Sequence, residues 1–240
     1  MKNKLLNFLF PPRCPFCRCI LKDALPVCRD CLSDLPYVSG KTCDICGASI
    51  PEYSHHICAD CKIIRKNFTH SFVPLRYADN VQKAIVHLKY YSHPSYSKGF
   101  AFLMADKILS DGENDVNFDY ITYVPQNSLT FLRRGYNQSE LIAKHLSELL
   151  KVECIPTLIR TNAGKRQATL SKKLRLENVK KCYFKTDFKL SGNVLLVDDV
   201  YTTGATSNYC AKLLKQMGAK KVYLAISAIR CEDIYENENF

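Results

Sequence analysis

In the second half of the chain, apolar and polar positions alternate in the order typical of an α/β sheet. Apolar residues have helical spacing at 139–150 and at 209–217, where Gly218 supplies a natural helix end. Strands that alternate with helices in this way predict a parallel sheet with flanking helices. Short apolar runs predict the strands at 121–125, 154–160, 183–188, 194–198 and 222–229.

Two more helices and one long loop are predicted from the same periodicity. Residues 81–90 and 99–109 have apolar positions at helical spacing, and the polar stretch 126–138 predicts a loop. Asn137, followed three residues later by Glu140, predicts a capping box at the start of the next helix.

The first quarter of the chain is rich in cysteine. Nine of the thirteen cysteines precede residue 62. Eight of them form four C-x-x-C pairs: Cys14/Cys17, Cys28/Cys31, Cys43/Cys46 and Cys58/Cys61. Each pair points two thiolates at one metal ion, and two pairs complete a tetrahedral zinc site. The gaps between the first and second pairs and between the third and fourth pairs, ten and eleven residues, nearly match. The pattern therefore predicts two structural Zn2+ sites in tandem zinc ribbons.

The spacing leaves the pairing of these four pairs open. Sequential pairing, first with second and third with fourth, is the simpler topology, and crossed pairing is compatible with the same spacing. Cys19 lies outside the C-x-x-C pattern and is interpreted as a spare thiol.

The positive charge of the chain is local. The formal net charge is +11, and eight zinc-bound thiolates with two Zn2+ ions lower it to about +7. Residues 160–181 contain eight basic residues and one acid, a net charge of +7. The zinc ribbons are therefore expected to be nearly neutral, and the excess charge lies in this one segment.

One predicted strand ends in acidic and hydroxyl side chains. Residues 194–206 read V-L-L-V-D-D-V-Y-T-T-G-A-T, an apolar run that ends in Asp198 and Asp199. Backbone N–H groups and hydroxyls at a helix start can hold a phosphate, while two adjacent carboxylates can accept hydrogen bonds from ribose hydroxyls. The stretch predicts a sugar-phosphate site at the carboxyl edge of the sheet. Its small residues are Thr202, Thr203, Gly204, Ala205 and Thr206.

The main alternative for this strand is a Walker B motif, which is also an apolar run that ends in acids. That motif works together with a P-loop, and the chain contains no G-x-x-x-x-G-K-[ST] sequence, since Gly164-Lys165 is followed by Arg166. An ordinary buried strand explains the apolar run but not two acids beside three threonines. The sugar-phosphate interpretation is therefore favoured.

Two other positions are candidates for phosphate binding. Arg134 and Gly135 precede a predicted helix start, where a guanidinium and free N–H groups match a pyrophosphate, whereas Arg133 alone fits an ordinary surface residue. Lys89 ends the predicted helix 81–90. It either reaches the phosphate site or interacts with the helix dipole, and the sequence leaves both open.

The basic segment 160–181 has two interpretations. As a mobile flap it would close over departing pyrophosphate, exclude water and neutralise negative charge. As a basic surface it would contact nucleic acid. The residues that fit either role are Lys165, Arg166, Gln167 and Arg175.

Several motifs follow one another in a set order. The motifs are F-P-P-R-C-P-F-C at 10–17, L-K-Y at 88–90, R-R-G-Y-N-Q-S-E at 133–140, R-Q-A-T-L-S at 166–171, R-L-E-N at 175–178 and V-D-D-V-Y-T-T-G-A-T at 197–206. With the cysteine pairs they resemble the ComF family of competence-associated, phosphoribosyltransferase-like proteins, and the last motif resembles the phosphoribosyl pyrophosphate (PRPP) motif of type I phosphoribosyltransferases.

The resemblance implies a type I phosphoribosyltransferase-like parallel sheet with flanking helices, preceded by a small double zinc-ribbon domain. It implies that the chain binds PRPP with Mg2+. The two acids would hold the ribose 2′- and 3′-hydroxyls, and residues 202–206 would surround the 5′-phosphate. The implied catalytic residues are Asp198, Asp199, Arg134 and Arg166, with Gly135 and Lys89 as further PRPP contacts.

The resemblance also implies a role in natural competence and DNA uptake, where incoming single-stranded DNA is handled, with other competence proteins as partners. Two functions stay open at this stage. One is transfer of a phosphoribosyl group to an unknown nitrogen acceptor. The other is a non-catalytic adaptor that responds to PRPP or binds single-stranded DNA.

The length of the chain, 240 residues, accommodates two parts. We expect an N-terminal arm and double zinc ribbon at 1–66 and a phosphoribosyltransferase-like domain at 67–240. No apolar run approaches the ~18 residues of a membrane span, and residues 1–10 lack the features of a signal peptide. We therefore expect a cytoplasmic protein that does not insert into membranes.

Overall fold

The computed structural model describes residues 11–91, 93–111, 116–161 and 182–230. Its centre is a five-stranded parallel sheet built on two nine-residue strands, β6 (Asn193–Tyr201) and β7 (Lys221–Ile229). The strand β3 (Tyr120–Tyr123) pairs with β6 on one side. Two short strands, β1 (Ser71–Phe72) and β2 (Leu75–Arg76), pair with β7 on the other. The predicted fold class, a parallel sheet with flanking helices preceded by zinc ribbons, is confirmed.

Helices cover both faces of the sheet. One face carries α3 (Asp79–Tyr90), α4 (Ser97–Ser110) and α6 (Gln138–Leu150), and the other carries α7 (Ala205–Gln216). The side chains of β6 alternate between two apolar cores, Leu195 in the first and Leu196 in the second, as the strand pleat requires. These helices confirm the predicted positions to within a few residues.

The predicted loop 126–138 is wrong over part of its length. It contains a short helix, α5 (Ser128–Arg134), whose N-cap Asn127 accepts a 2.7 Å hydrogen bond from the N–H of Thr130. None of its residues is buried. Hydrophobic periodicity therefore had no core-facing stripe to detect, because local capping and not packing defines this helix.

The strand predicted at 154–160 is shorter than expected and does not join the main sheet as a full strand. The strand β4 (Leu158–Arg160) pairs antiparallel with β5 (Tyr183–Lys185), whereas Cys154 makes only an isolated bridge to Ile121. Burial on one side only, with the paired residues Ile159 and Phe184 exposed, is typical of an antiparallel pair.

Each zinc ribbon packs against a different face of the sheet. The first, with α1 (Arg29–Asp34), contributes Phe16 to the core beneath α4, where its ring lies edge-on to Phe100 with the centroids 5.5 Å apart. The second, with α2 (Ala59–Ile63), contributes Ile50 to the core on the α7 side. The predicted division at residue 66 stays a prediction.

The segment that joins the ribbons lies along the edge of the sheet. Tyr37 bridges to Leu75, and the N–H of Val38 donates a 2.9 Å hydrogen bond to the carbonyl of Pro74. This connection covers the open edge of β2 and ties both ribbons to the sheet.

Candidate functional site

The two acids of the 194–206 motif lie where β6 reaches the carboxyl edge of the sheet. Parallel strands place ligands in the crevice outside their carboxyl ends, and a cleft of about 350 Å³ opens there. Its walls are Lys89, residues 124–126, Gln138, Ser139, Arg160, Tyr183 and residues 198–207. The predicted acids, the small-residue turn and Lys89 are therefore brought together in one cleft.

Asp199 is nearly buried, with 5% of its surface exposed, and both of its carboxylate oxygens have partners. Lys89 Nζ lies 2.8 Å from Oδ1, and Gln138 Nε2 donates to Oδ2 at 2.6 Å. Burial lowers the pKa of Lys89, but the Asp199 carboxylate raises it by more, so its net shift is upward. The Lys89 side chain therefore lies in the cleft. Of the two positions that the sequence left open for it, this is the one found in the structure.

Asp198 is held by hydroxyl and backbone donors. Its Oδ1 accepts from the Ser139 hydroxyl at 3.2 Å and from the Asp199 N–H at 2.9 Å, and its Oδ2 accepts from Ser207 Oγ at 3.4 Å. Burial and the neighbouring Asp199 charge raise the pKa of Asp198 to about 7. Asp198 therefore keeps its proton up to near-neutral pH, chiefly because it is buried.

The raised pKa of Asp198 predicts a pH dependence of stability. Because the folded state binds the proton more tightly than the unfolded state, this group stabilises the fold below pH ~4, and its contribution is lost as the pH rises through about 7. Between pH 6 and 8 the free energy of unfolding of the zinc-loaded protein should fall by about 1 kcal/mol more in the wild type than in Asp198→Asn. Urea unfolding at pH 6, 7 and 8 measures this, and parallel pH profiles for the two proteins would contradict it.

The turn at 202–206 presents backbone donors to the cleft. Gly204 has a φ of +67° and forms the N-cap of α7, so it offers no side chain to the first N–H groups of that helix. A Cβ at this position would collide with the Tyr201 hydroxyl, so glycine is required. A helix start with free N–H groups and the positive end of the dipole favours an anion.

Arg134 contacts two of the residues that line the cleft. Its Nη1 donates to the side-chain oxygens of Gln126, at 3.3 Å, and of Gln138, and both glutamines line the cleft. Gly135 ends α5 with a φ of +83°, and its N–H donates to the Phe131 carbonyl at 2.7 Å. This geometry gives Gly135 a role in ending the helix, while the pyrophosphate roles of both residues stay predictions.

Ser139, Ser207 and Arg160 line the cleft but were not predicted as site residues from the sequence. The two serines directly follow the R-G-Y-N-Q and T-T-G-A-T motifs, which was the available signal. Arg160 lines the cleft with its guanidinium 5.1 Å from the centre of the Tyr183 ring, and among the described residues its buried Nε has no hydrogen-bond partner. The candidates Lys165, Arg166, Gln167 and Arg175 lie outside the described residues.

The eight paired cysteines form two clusters in the sequential order. The ligand sulfurs of each cluster lie within 4.8 Å of one another, as four thiolates at Zn–S distances of about 2.3 Å require. One cluster is Cys14, Cys17, Cys28 and Cys31, and the other is Cys43, Cys46, Cys58 and Cys61. The geometry fits two structural Zn2+ sites, and Cys19 belongs to neither cluster.

Within the described residues, no helix has both the length and the apolar character needed to cross a membrane.

Relatives of the chain are competence and DNA utilization proteins. The double zinc ribbon domain family matches residues 5–62. Competence protein ComFC of Bacillus subtilis is 28% identical over 88% of this chain and 87% of its own length. Competence protein F of Haemophilus influenzae is 28% identical over 91% of this chain and 96% of its own. DNA utilization protein YhgH of Escherichia coli is 38% identical over 43% of this chain and 46% of its own.

Solved structures with similar folds include phosphoribosyltransferases. Glutamine PRPP amidotransferase from B. subtilis aligns with 59% of this chain and 30% of its own, with 23% identity and a TM-score of 0.41. The family assignment rests on the sequence relatives, the zinc ribbons and the motif order, not on this alignment. These findings support assignment of the chain to the ComF family of competence-associated proteins.

Proposed function

We propose that the cleft binds PRPP together with Mg2+. The observation that carries the proposal is the position of Asp198 and Asp199, which line the same cleft as the small-residue turn at 202–206, at the carboxyl edge of the sheet. Carboxylates suit the two ribose hydroxyls, and the start of α7 suits the 5′-phosphate.

The basic residues in and beside the cleft could contact the pyrophosphate end of the ligand. Arg160 and Lys89 line the cleft, and Arg134 reaches it through Gln126 and Gln138. Binding would exchange the contact of Lys89 with Asp199 for a contact with the pyrophosphate, which frees one carboxylate oxygen for a ribose hydroxyl. Bound Mg2+ would supply positive charge that neutralises the pyrophosphate.

For an enzyme, the proposed reaction is phosphoribosyl transfer of the glycosyltransferase class. A nitrogen acceptor forms a bond to C1′ of the ribose while the bond from C1′ to the pyrophosphate oxygen breaks. Pyrophosphate leaves with the bonding electrons, and the acceptor nitrogen releases its proton to solvent. The protein contributes position and positive charge at the leaving group. An adaptor that binds PRPP without turnover would use the same cleft and lack an acceptor.

Calorimetry tests the proposal. Titration of PRPP with Mg2+ into folded, zinc-loaded protein should produce saturable heat, and its absence would overturn PRPP binding. Release of pyrophosphate with a panel of bases and amines then separates enzyme from adaptor. Turnover that is lost in Asp199→Asn supports the enzyme, and a rise in thermal stability without turnover supports the adaptor.

Contact with single-stranded DNA is the second candidate function. Tyr90, the last residue of α3, and Tyr91, its C-cap, are 71% and 61% exposed, and the Arg134 guanidinium lies 5.3 Å from the centre of the Tyr90 ring. Exposed aromatic rings beside cations are typical of surfaces on which unpaired bases stack. The relative named for DNA utilization fits this function. The basic segment 160–181, as a flap or as a DNA contact, stays a prediction.

We expect Tyr90→Ala and Tyr91→Ala each to weaken binding of single-stranded DNA by roughly 5- to 100-fold, because each base stacked on an aromatic ring contributes ~1–3 kcal/mol. Gel shifts over a salt series measure this, and affinity should fall as salt rises. Tyr53→Ala is the matched control, because Tyr53 is 87% exposed on the second zinc ribbon. Equal affinities of Tyr90→Ala, Tyr91→Ala and Tyr53→Ala for single-stranded DNA would show that Tyr90 and Tyr91 do not contact it.

The proposed setting is the bacterial cytoplasm during natural transformation. Zinc-bound thiolates persist in a reducing compartment, and the competence relatives support a role in DNA uptake. Other competence proteins are the proposed partners there.

A further inference from the structure

The first turn of α7 is bonded directly to the segment that follows the second zinc ribbon. The Asn67 N–H donates to Asn208 Oδ1 at 2.6 Å, and Asn67 Nδ2 donates to the same oxygen at 3.0 Å. Asn208 Nδ2 donates in turn to the Arg65 carbonyl at 3.3 Å. Arg65 and Asn67 follow the last zinc ligand, Cys61, by four and six residues. One amide side chain therefore joins the second zinc ribbon to the phosphate-binding helix.

Asn208 is also bonded to the turn itself. Its backbone N–H donates to the Gly204 carbonyl at 2.8 Å. Gly204 has a positive φ at the start of α7, and the residues next to it line the cleft. A displacement of Asn208 therefore moves the backbone that presents the N–H groups to an anion.

Two aromatic rings form a second contact between the segment after the second zinc ribbon and the turn at 202–206. Phe68 lies edge-on to Tyr201, with ring centroids 6.4 Å apart, and both belong to the core that contains the zinc ligands Cys43 and Cys61. The Tyr201 hydroxyl fills the space beside Gly204 where a side chain would otherwise stand. Burial raises the pKa of Tyr201 above its usual range, so the ring remains neutral in this apolar setting.

We propose that Asn208 and Tyr201 are positioning residues through which the second zinc site holds the phosphate-binding turn in place. This inference rests on the proposed function, because it concerns the 5′-phosphate end of the same cleft. It goes further in making affinity for that phosphate depend on the contact between the second zinc ribbon's following segment and Asn208. Loss of this contact weakens binding of the sugar phosphate and leaves binding at the pyrophosphate end largely unchanged.

The two ends of the cleft are held by different parts of the chain, which makes the effect selective. The pyrophosphate cations Lys89 and Arg134 belong to α3 and α5, and neither is bonded to Asn67 or Asn208 among the described contacts. A general loss of stability would weaken binding at both ends. A loss of positioning weakens only the end built on residues 202–206.

The test compares Asn208→Ala with two probes, ribose 5-phosphate and inorganic pyrophosphate, each titrated with Mg2+ by calorimetry into the zinc-loaded full chain. We expect roughly 10-fold weaker binding of ribose 5-phosphate, in line with the loss of two or three hydrogen bonds, and less than a twofold change for pyrophosphate. Asn80→Ala, an exposed residue on α3, is the matched control. Asn67→Ala, which removes the side-chain hydrogen bonds from the ribbon side of this contact and keeps all eight zinc ligands, should reproduce the selective loss.

Amide hydrogen exchange gives a readout that needs no ligand. In Asn208→Ala and in Asn67→Ala, the amides of 202–208 should exchange roughly 10-fold faster than in the wild type, and Asn80→Ala should leave them unchanged. Wild-type protein that binds neither probe would overturn the proposed function, and the exchange rates would still decide the coupling. Unchanged exchange in both variants, or equal weakening of both probes, would overturn the positioning role.

Discussion

Removal of zinc is expected to abolish cooperative folding. Apparent binding free energies for structural Zn2+ are about 10–16 kcal/mol in zinc-finger peptides, which is comparable to the whole ~5–15 kcal/mol stability of a typical domain. The effect extends beyond the ribbons because Phe16 belongs to one core of the sheet and Ile50 to the other. A strong chelator should therefore convert a sharp thermal transition, followed by circular dichroism, into a broad one at lower temperature, with release of two zinc ions per chain.

Two cysteines in the first ribbon provide a matched comparison. Cys17 and Cys19 are both exposed, but only Cys17 belongs to a four-cysteine cluster. Cys17→Ser should lose one zinc ion and destabilise the chain strongly, whereas Cys19→Ser should keep both ions and the wild-type melting temperature. Equal effects of the two substitutions would mean that Cys19 is itself a ligand, and full stability after chelation would reject a structural role for the metal.

Replacement of Asp199 by asparagine is expected to weaken PRPP binding by roughly 10- to 100-fold. A hydrogen bond to a charged acceptor contributes about 1.5–3 kcal/mol, and the substitution removes the charge that receives a ribose hydroxyl in the proposed complex. The same change removes the carboxylate that raises the pKa of Lys89. Because asparagine keeps the size and one acceptor oxygen, the stability of the unliganded fold should fall by only about 1–3 kcal/mol.

Calorimetry with PRPP and Mg2+, together with urea unfolding of the free protein, separates these two effects. Asp187→Asn is the control, since Asp187 is exposed on the segment after β5. Wild-type affinity in Asp199→Asn would show that this acid does not hold the ribose. A loss of binding in the control as well would point to a general effect of net charge.

The elements with strong local patterns were predictable from the sequence. The apolar run before Asp198, the helical spacing that leads to Gly218 and the Asn137 cap each depend on residues within one or two turns, and all three are present in the structure. The four C-x-x-C pairs predicted two metal sites, and the structure adds that they pair sequentially. The short helix α5 was missed because no residue in it is buried.

The order of neighbouring residues in the sequence therefore predicted three features. These are the acids near the carboxyl end of a strand, the small residues at the start of a helix and the cysteine pairs. Contacts between residues that are far apart in the sequence could be identified only in the folded structure. Lys89 meets Asp199 across 110 positions, and Asn67 meets Asn208 across 141. No periodicity encodes such pairs, because they arise when helices and ribbons from distant parts of the chain pack on one parallel sheet, whose carboxyl edge collects their polar ends.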